Sequence, residues 1–285
     1  MNRLAVLAFA LLLFFSTMSW YLANGSLNDY LKSQVILQSE YYTSEPAQLV
    51  SAHFSETSGI TQFESFSLKN IEGLQQSLIL TIDSINAQLA EIPIEQLDSP
   101  SIQKKTTTLV HIKELRLAQV NAWSENLPSV ENSPRNKKSQ TNLDLFIERI
   151  SIVLAKDYPA LYPQLGAKIY AQQHPERNEE LALAGLEHKP TEAIIETNKA
   201  IIASNAAKQQ KRLLGKATTR VKISSVIIEQ LTLTTIKNNE TISLPFKNIS
   251  LGNIGDENGL ASNQLGGELL KQLFTQLSAL DKANR

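Results

Sequence analysis

Apolar residues along Val110–Trp123 fall at positions 110, 112, 115, 117, 120 and 122, with gaps alternating between two and three. The same rhythm returns at 221, 223, 226, 228, 231 and 233. An α-helix needs gaps averaging about 3.6 and a plain strand needs gaps of about 2, so neither template fits. In a strand, a gap of three turns the apolar side over. One extra residue, inserted as a β-bulge, turns it back and bends the strand. Bulges are therefore expected at Lys113-Glu114, Ala118-Gln119, Ser224-Ser225 and Glu229-Gln230, with the apolar residues sharing one face. The β-branched content of 221–236 agrees with strand. A strand of about 13 residues reaches roughly 40 Å, long for an ordinary domain. Such strands, bent repeatedly in one sheet, form a trough with an apolar inner wall.

Shorter versions of the pattern come earlier. From Ile60 the text ITQFESFSLKN alternates through Phe63, Phe66 and Leu68 and ends in a turn at 70–73. Over 77–94, Leu78, Leu80 and Ile82 are followed by Ile85, Ala87 and Leu89, again two runs joined by a gap of three. Pro93 and Pro100 punctuate the stretch between this run and Val110. Residues 124–141 read as a polar loop whose Arg135, Lys137 and Lys138 either meet anionic headgroups or mark a solvated tip, the second being favoured.

After the loop the period changes. Leu143, Phe146, Ile147 and Ile150 share one helical face, with Thr141 or Asn142 as cap, and Tyr158-Pro159 breaks the helix. Further helices are expected at 164–187 and 190–214, the latter opened by Pro190 and closed by Gly215. Strands return at 219–236 and 242–251 around an Asn238-Asn239 turn, and Gly252, Gly255 and Gly259 read as a loop. A last helix, near 262–281, is amphipathic through Leu265, Leu269, Leu273, Leu277 and Leu280.

The amino terminus adds a different signal. Residues 4–23, LAVLAFALLLFFSTMSWYLA, hold no charge. About 20 residues of helix span roughly 30 Å, the hydrocarbon thickness of a bilayer. A weak cleavage site at Ser16–Ser19 leaves a signal peptide as the alternative, but an uncleaved single-pass anchor fits the length better. Arg3 lies on the short side, which places the N-terminus in the cytoplasm and residues 24–285 beyond the membrane. Residues 24–59 read as a membrane-proximal helix and linker.

Composition narrows the function classes. Across 285 residues, the net charge of −1 and 6% aromatic content argue against nucleic acid as a partner, while 42% hydrophobic content is enough for a real core. Cysteine is absent, which removes disulfides, thiolate metal sites and thiol nucleophiles together. His53, His111, His174 and His188 show no metal-ligand spacing, and His111 alternates onto the polar side of its strand. Asp144 and Glu148, one helical turn apart, read as a solvated helix face rather than an acid/base pair. No hydrolase, zinc-protease or phosphate-loop motif is present, so neither enzyme activity nor a cofactor is expected.

The ordered set of pieces resembles the AsmA-like family of periplasmic proteins. The pieces are TSGITQFESFSLKNIEGL (57–74), VHIKELRLAQVNAWSE (110–125), Asn142-Leu143-Asp144 opening a helix, and Leu244-Pro245 with Ile249, Leu251, Ile254 and Gly255. Asn70-Ile71 stands where relatives often carry Asn-Pro, and the helical stretch 151–215 is longer than the family pattern. The resemblance implies a groove-bearing sheet projecting from an inner membrane into the periplasm, and a part in lipid traffic or outer-membrane assembly.

The expected fold is α+β. An N-terminal transmembrane helix (1–23) and a linker (24–59) precede a long bent antiparallel-rich sheet (60–141 and 216–285), which a helical segment (142–215) interrupts and a C-terminal amphipathic helix closes. Candidate lipid-groove residues are Val110, Ile112, Leu115, Leu117, Val221, Ile223, Val226 and Ile228. The same face could instead be ordinary core covered by the last helix. The expected partners are the membrane itself, phospholipid, and a protein docking on 142–215. The competing reading is an anchored scaffold with a closed core.

Overall fold

A computed structural model describes residues 27–55, 57–90, 108–127, 140–159, 161–166, 219–237 and 240–284. Helix α1 (27–43) leads into strands β1 (Ala47–Ser55), β2 (Ile60–Lys69), β3 (Leu78–Leu89) and β4 (Thr108–Glu125). Helix α2 (Asn142–Asp157) follows, then β5 (Thr219–Lys237), β6 (Glu240–Ile254), the short β7 (Leu260–Ala261) and helix α3 (Leu265–Ala283). Among the described residues, one sheet runs in the order β1-β2-β3-β4-β5-β6, with β7 also paired to β5. The fold is α+β with a mixed sheet: β4 and β5 are parallel and the remaining pairs antiparallel.

The parallel pair explains the repeated rhythm. Val110 lies against Val221, Ile112 against Ile223, Leu115 against Val226, Leu117 against Ile228 and Val120 against Leu231, at one constant offset from Thr108–Thr219 to Glu125–Ile236. Two neighbours running the same way must bend at the same places, so they carry the same gaps. On both strands these apolar side chains face inward, while Arg116 on the outer face pairs with Glu114 and Glu229.

The bend at Ala118-Gln119 and Glu229-Gln230 is not the one-strand bulge that the spacing suggests. It crosses the whole sheet. Leu49, Phe66, Ile82, Val120, Leu231 and Phe246 form a transverse row of paired residues, and the next inward row is Ala52, Phe63, Ile85, Leu117, Ile228 and Ile249. Each of the six strands places two residues between these rows, so the ladder stays in step. Ser65, Gln119 and Asn248, on alternate strands, take up the turn with φ of 54°, 50° and 53°. Bulges with a change of register do occur at the second site. Lys113 is the extra residue of β4 against β3, between the pairs Gln88–Glu114 and Leu89–Ile112. Ser224-Ser225 face a single residue of β6 beside Gly252, whose φ is 84°. Gly252 therefore belongs to β6 rather than to the loop expected from its spacing with Gly255 and Gly259.

Other boundaries also move. The sheet begins at Ala47, inside the stretch expected to be linker, because Ala47, Leu49, Ala52 and Phe54 repeat the same skipped alternation at shorter length. The helices expected beyond residue 166, the Asn238-Asn239 turn, the 135–138 cluster and the 4–23 span lie outside the described residues. Among the described residues no helix is long and apolar enough to cross a membrane.

Beyond the crease, Leu68, Leu80, Ala122 and Leu233 share one core with Leu143, Phe146, Ile150, Phe274 and Leu277 of α2 and α3. The Phe146 and Phe274 rings stand 5.2 Å apart. Thr141 caps α2 in a reciprocal box with Asp144. Asp144 also accepts from Ser278 Oγ and Lys282 Nζ, both at 2.8 Å, so the solvated face expected for it does not hold: it ties α2 to α3. In the same last turn of α3, Asp281 accepts from Ser124 Oγ at 2.8 Å and Thr235 Oγ1 at 2.7 Å. Asn142 donates to Asn70 Oδ1 and to the Trp123 carbonyl, and the Glu125 carboxylate accepts from the Gln75 and Gln76 amides. This network fixes the 70–77 turn to the start of α2.

Candidate functional site: an apolar cavity between sheet and helices

On the other side of the crease the helices do not fill the face of the sheet. A cavity of ≈ 320 Å³ lies between β2–β5 and the helices α1 and α3. Six of the eight groove candidates line it: Val110, Ile112, Leu115, Leu117, Val221 and Ile223. Val226 and Ile228 do not; both are fully buried in the core. The face is thus core over one half and cavity over the other. Further lining comes from Phe63, Phe66, Ile82, Ile85, Ala87 and Leu89 on β2 and β3, and from Leu31, Val35, Leu265, Leu269, Leu270 and Leu273 on the helices. The gap of three in β3 signalled the first group, since it marks the strand as a member of the same bent face. Nothing in the sequence of 27–43 distinguishes a helix lying on the sheet from one leading away.

The lining holds no charged side chain. Its polar members are Gln34, Gln38, Ser39, Thr61 and Ser262. Gln38 is committed to fixing α1 against α3: its Oε1 accepts from the Gly266 amide at 3.0 Å and its Nε2 donates to the Ser262 carbonyl at 3.3 Å. Two glycines allow this approach. A Cβ at Gly266 would meet Gln38 Oε1 at 2.6 Å, and one at Gly267 would meet the Tyr42 ring at 2.8 Å. Where α1 ends, Tyr42 donates to the Asn263 carbonyl at 2.9 Å, Tyr158 donates to Asn263 Oδ1 at 2.6 Å, and Tyr41 donates to Asp157 Oδ2 at 2.8 Å.

Burial raises the acidities' midpoints throughout this cluster. The Tyr158 hydroxyl is pushed up to about 12, first by burial and then by the Asp157 charge. Those of Tyr41 and Tyr42 are raised further, first by burial, then at Tyr41 by its bond to Asp157 and at Tyr42 by the neighbouring Tyr158. All three are neutral hydrogen-bond donors at any ordinary pH. Burial also raises the Asp157 carboxyl, against the opposing pull of the Tyr41 hydroxyl and Lys156. These groups point into helix contacts and do not line the cavity. His111 stands exposed on the outer face with Nε2 2.6 Å from Ser224 Oγ. No group of three or more potential metal ligands comes together among the described residues. Such a site can sequester hydrocarbon and exclude water. Its lining offers no converging ionisable groups for acid–base chemistry.

Comparison with known protein families, with curated proteins and with solved structures finds no match to this chain.

Proposed function

We propose that this is a membrane-anchored periplasmic protein of the AsmA-like type that serves cell-envelope biogenesis by holding the hydrocarbon part of a lipid on its bent sheet. The observation that carries the reading is the uncharged cavity walled by Val110, Ile112, Leu115, Leu117, Val221 and Ile223. An apolar void of this size, with its polar groups confined to a few amides and hydroxyls, suits a ligand that binds by leaving water rather than by ionic pairing. The apolar run at 4–23, read as an anchor, would keep α1 and the cavity beside the bilayer, where such ligands are found. The test is mass spectrometry of the full-length protein extracted in mild detergent. Co-purifying phospholipid or its single-chain derivative, lost in Ile112→Asp, supports the reading; its consistent absence overturns it.

A second reading has its own observation. Ile152 on α2 and Leu161 just beyond it are exposed apolar side chains on the segment that runs into 167–218. They favour a protein partner docking on 142–215, as in an anchored scaffold. Replacing both with Gln should then release a co-purifying protein without changing lipid content.

A further inference from the structure

The cavity has a direction. Along β2 its lining runs from Thr61 to Phe66, along β3 from Leu89 to Ile82, and along β4 from Val110 to Leu117. At one end Thr61, Leu89 and Val110 are partly exposed; at the other Phe66, Ile82 and Leu117 are buried. One step further along β4 and α3, Val120 and Phe274 are buried and do not line it. The void is therefore closed at the crease and approached from the opposite end. Its ≈ 320 Å³ is about twice the roughly 150 Å³ of an apolar cavity that takes one benzene, which leaves room for a hydrocarbon chain on the order of ten carbons. Two acyl tails of ordinary length do not fit that space. With no charged side chain in the wall, an anionic or zwitterionic head has no counter-ion inside and stays in water.

We infer that the cavity is a length gauge for one hydrocarbon chain of about ten carbons, inserted methyl end first against Phe66 and Ile82, with its polar head held outside near Thr61 and Val110. This rests on the reading that the cavity binds lipid, and it adds a ligand class: single-chain amphiphiles, or one tail of a larger lipid drawn in to a fixed depth. The crease supplies the stop. Because all six strands turn together between the Phe66–Ile82 row and the Phe63–Ile85 row, the floor cannot shift on one strand alone.

The test is a titration of the full-length protein with saturated fatty acids of about 6 to about 16 carbons, read by displacement of a fluorescent fatty-acid probe. Affinity is expected to rise about fourfold per methylene while methylenes are being buried, then to level off near ten carbons. Ala87→Leu, which fills the cavity without opening a void, should move the plateau about three carbons shorter. Phe66→Ala, which deepens it, should move the plateau longer by a similar step; Ala87→Leu keeps the test decisive if that variant does not fold. Affinity that climbs without a plateau, or a plateau that Ala87→Leu leaves in place, overturns the gauge while leaving lipid binding intact. Failure to bind at every length overturns the binding reading and the gauge with it.

Discussion

Gly267 faces the ring of Tyr42 so closely that a Cβ on the glycine would stand 2.8 Å from the ring carbons. Tyr42 is fully buried and anchored through its hydroxyl to the Asn263 carbonyl, so the ring cannot swing away. Helix α1 can lie over the sheet only because α3 has no side chain at that point. Gly267→Ala should cost about 1–3 kcal/mol through overpacking. Hydrogen exchange should localise the effect, with 27–43 exchanging faster and the far core of α2 and α3 unchanged.

Gln119 holds φ at 50° in the middle of the crease. An L residue in this region costs about 1–2 kcal/mol, and a β-branched residue tolerates it least. Gln119→Gly relieves that strain and adds chain entropy of similar size, so its stability should stay within about 0.5 kcal/mol of the parent. Gln119→Val should lose about 1–2 kcal/mol or more. Urea unfolding midpoints of the two variants test whether the turn at this row is built in.

Two inward residues of the same face should respond in opposite ways to a carboxylate. Ile112 is partly exposed and lines the cavity, so Ile112→Asp can hydrate its charge through the opening and keep a cooperative unfolding transition. Val226, paired with Leu115 on the neighbouring strand, is fully buried and does not line the cavity. Val226→Asp buries an unpaired charge and should abolish cooperative folding. Thermal unfolding followed by circular dichroism separates the two outcomes.

Asp144 and Asp157, near the two ends of α2, should give opposite pH dependence. Burial pushes the Asp144 carboxyl up, but the bonds from Lys282, Ser278 and Thr141 outweigh it and hold it below the usual value. Its stabilisation is therefore present above the unfolded midpoint, near pH 4, and lost as pH falls through the folded one. Asp144→Asn should cost about 1–2 kcal/mol at neutral pH, with the difference from the parent shrinking in acid. Burial raises Asp157, so its stabilisation is complete below about pH 4 and lost as pH rises through the folded midpoint. Asp157→Asn retains an acceptor for Tyr41 and should gain stability relative to the parent as pH rises to neutrality. Chemical denaturation across pH 3–8 reads both.

Much of the architecture was legible because a buried sheet face leaves a period in the text. The gaps at 112–115 and 223–226 placed both long strands on one face, and the change of period at Leu143 marked α2 together with its Thr141 cap. Two things were not legible for physical reasons. β1 is short, and its apolar positions 47, 49, 52 and 54 give only two half-runs, too few to stand out from the end of a helix. The division of the face into core and cavity depends on how far α1 and α3 stand from it. That distance is set by Gly266, Gly267 and Gln38 across more than two hundred residues of chain, and no local period records it. The identical gaps of β4 and β5 mark them as strands of one bent face but not their direction, because the series reads the same both ways and β3 carries part of it antiparallel to β4.

The most direct measurement is photo-crosslinking of the full-length protein with a fatty acid carrying a diazirine at its methyl end, followed by peptide mapping. Label on 61–66, 82–89 and 110–117, strongest toward Phe66, Ile82 and Leu117 and abolished by Ile112→Asp, is the expected result, because these segments line the cavity and those three residues stand at its buried end. Label confined to the outer face around Arg116 and Lys247, or spread evenly over the chain and indifferent to Ile112→Asp, would contradict it.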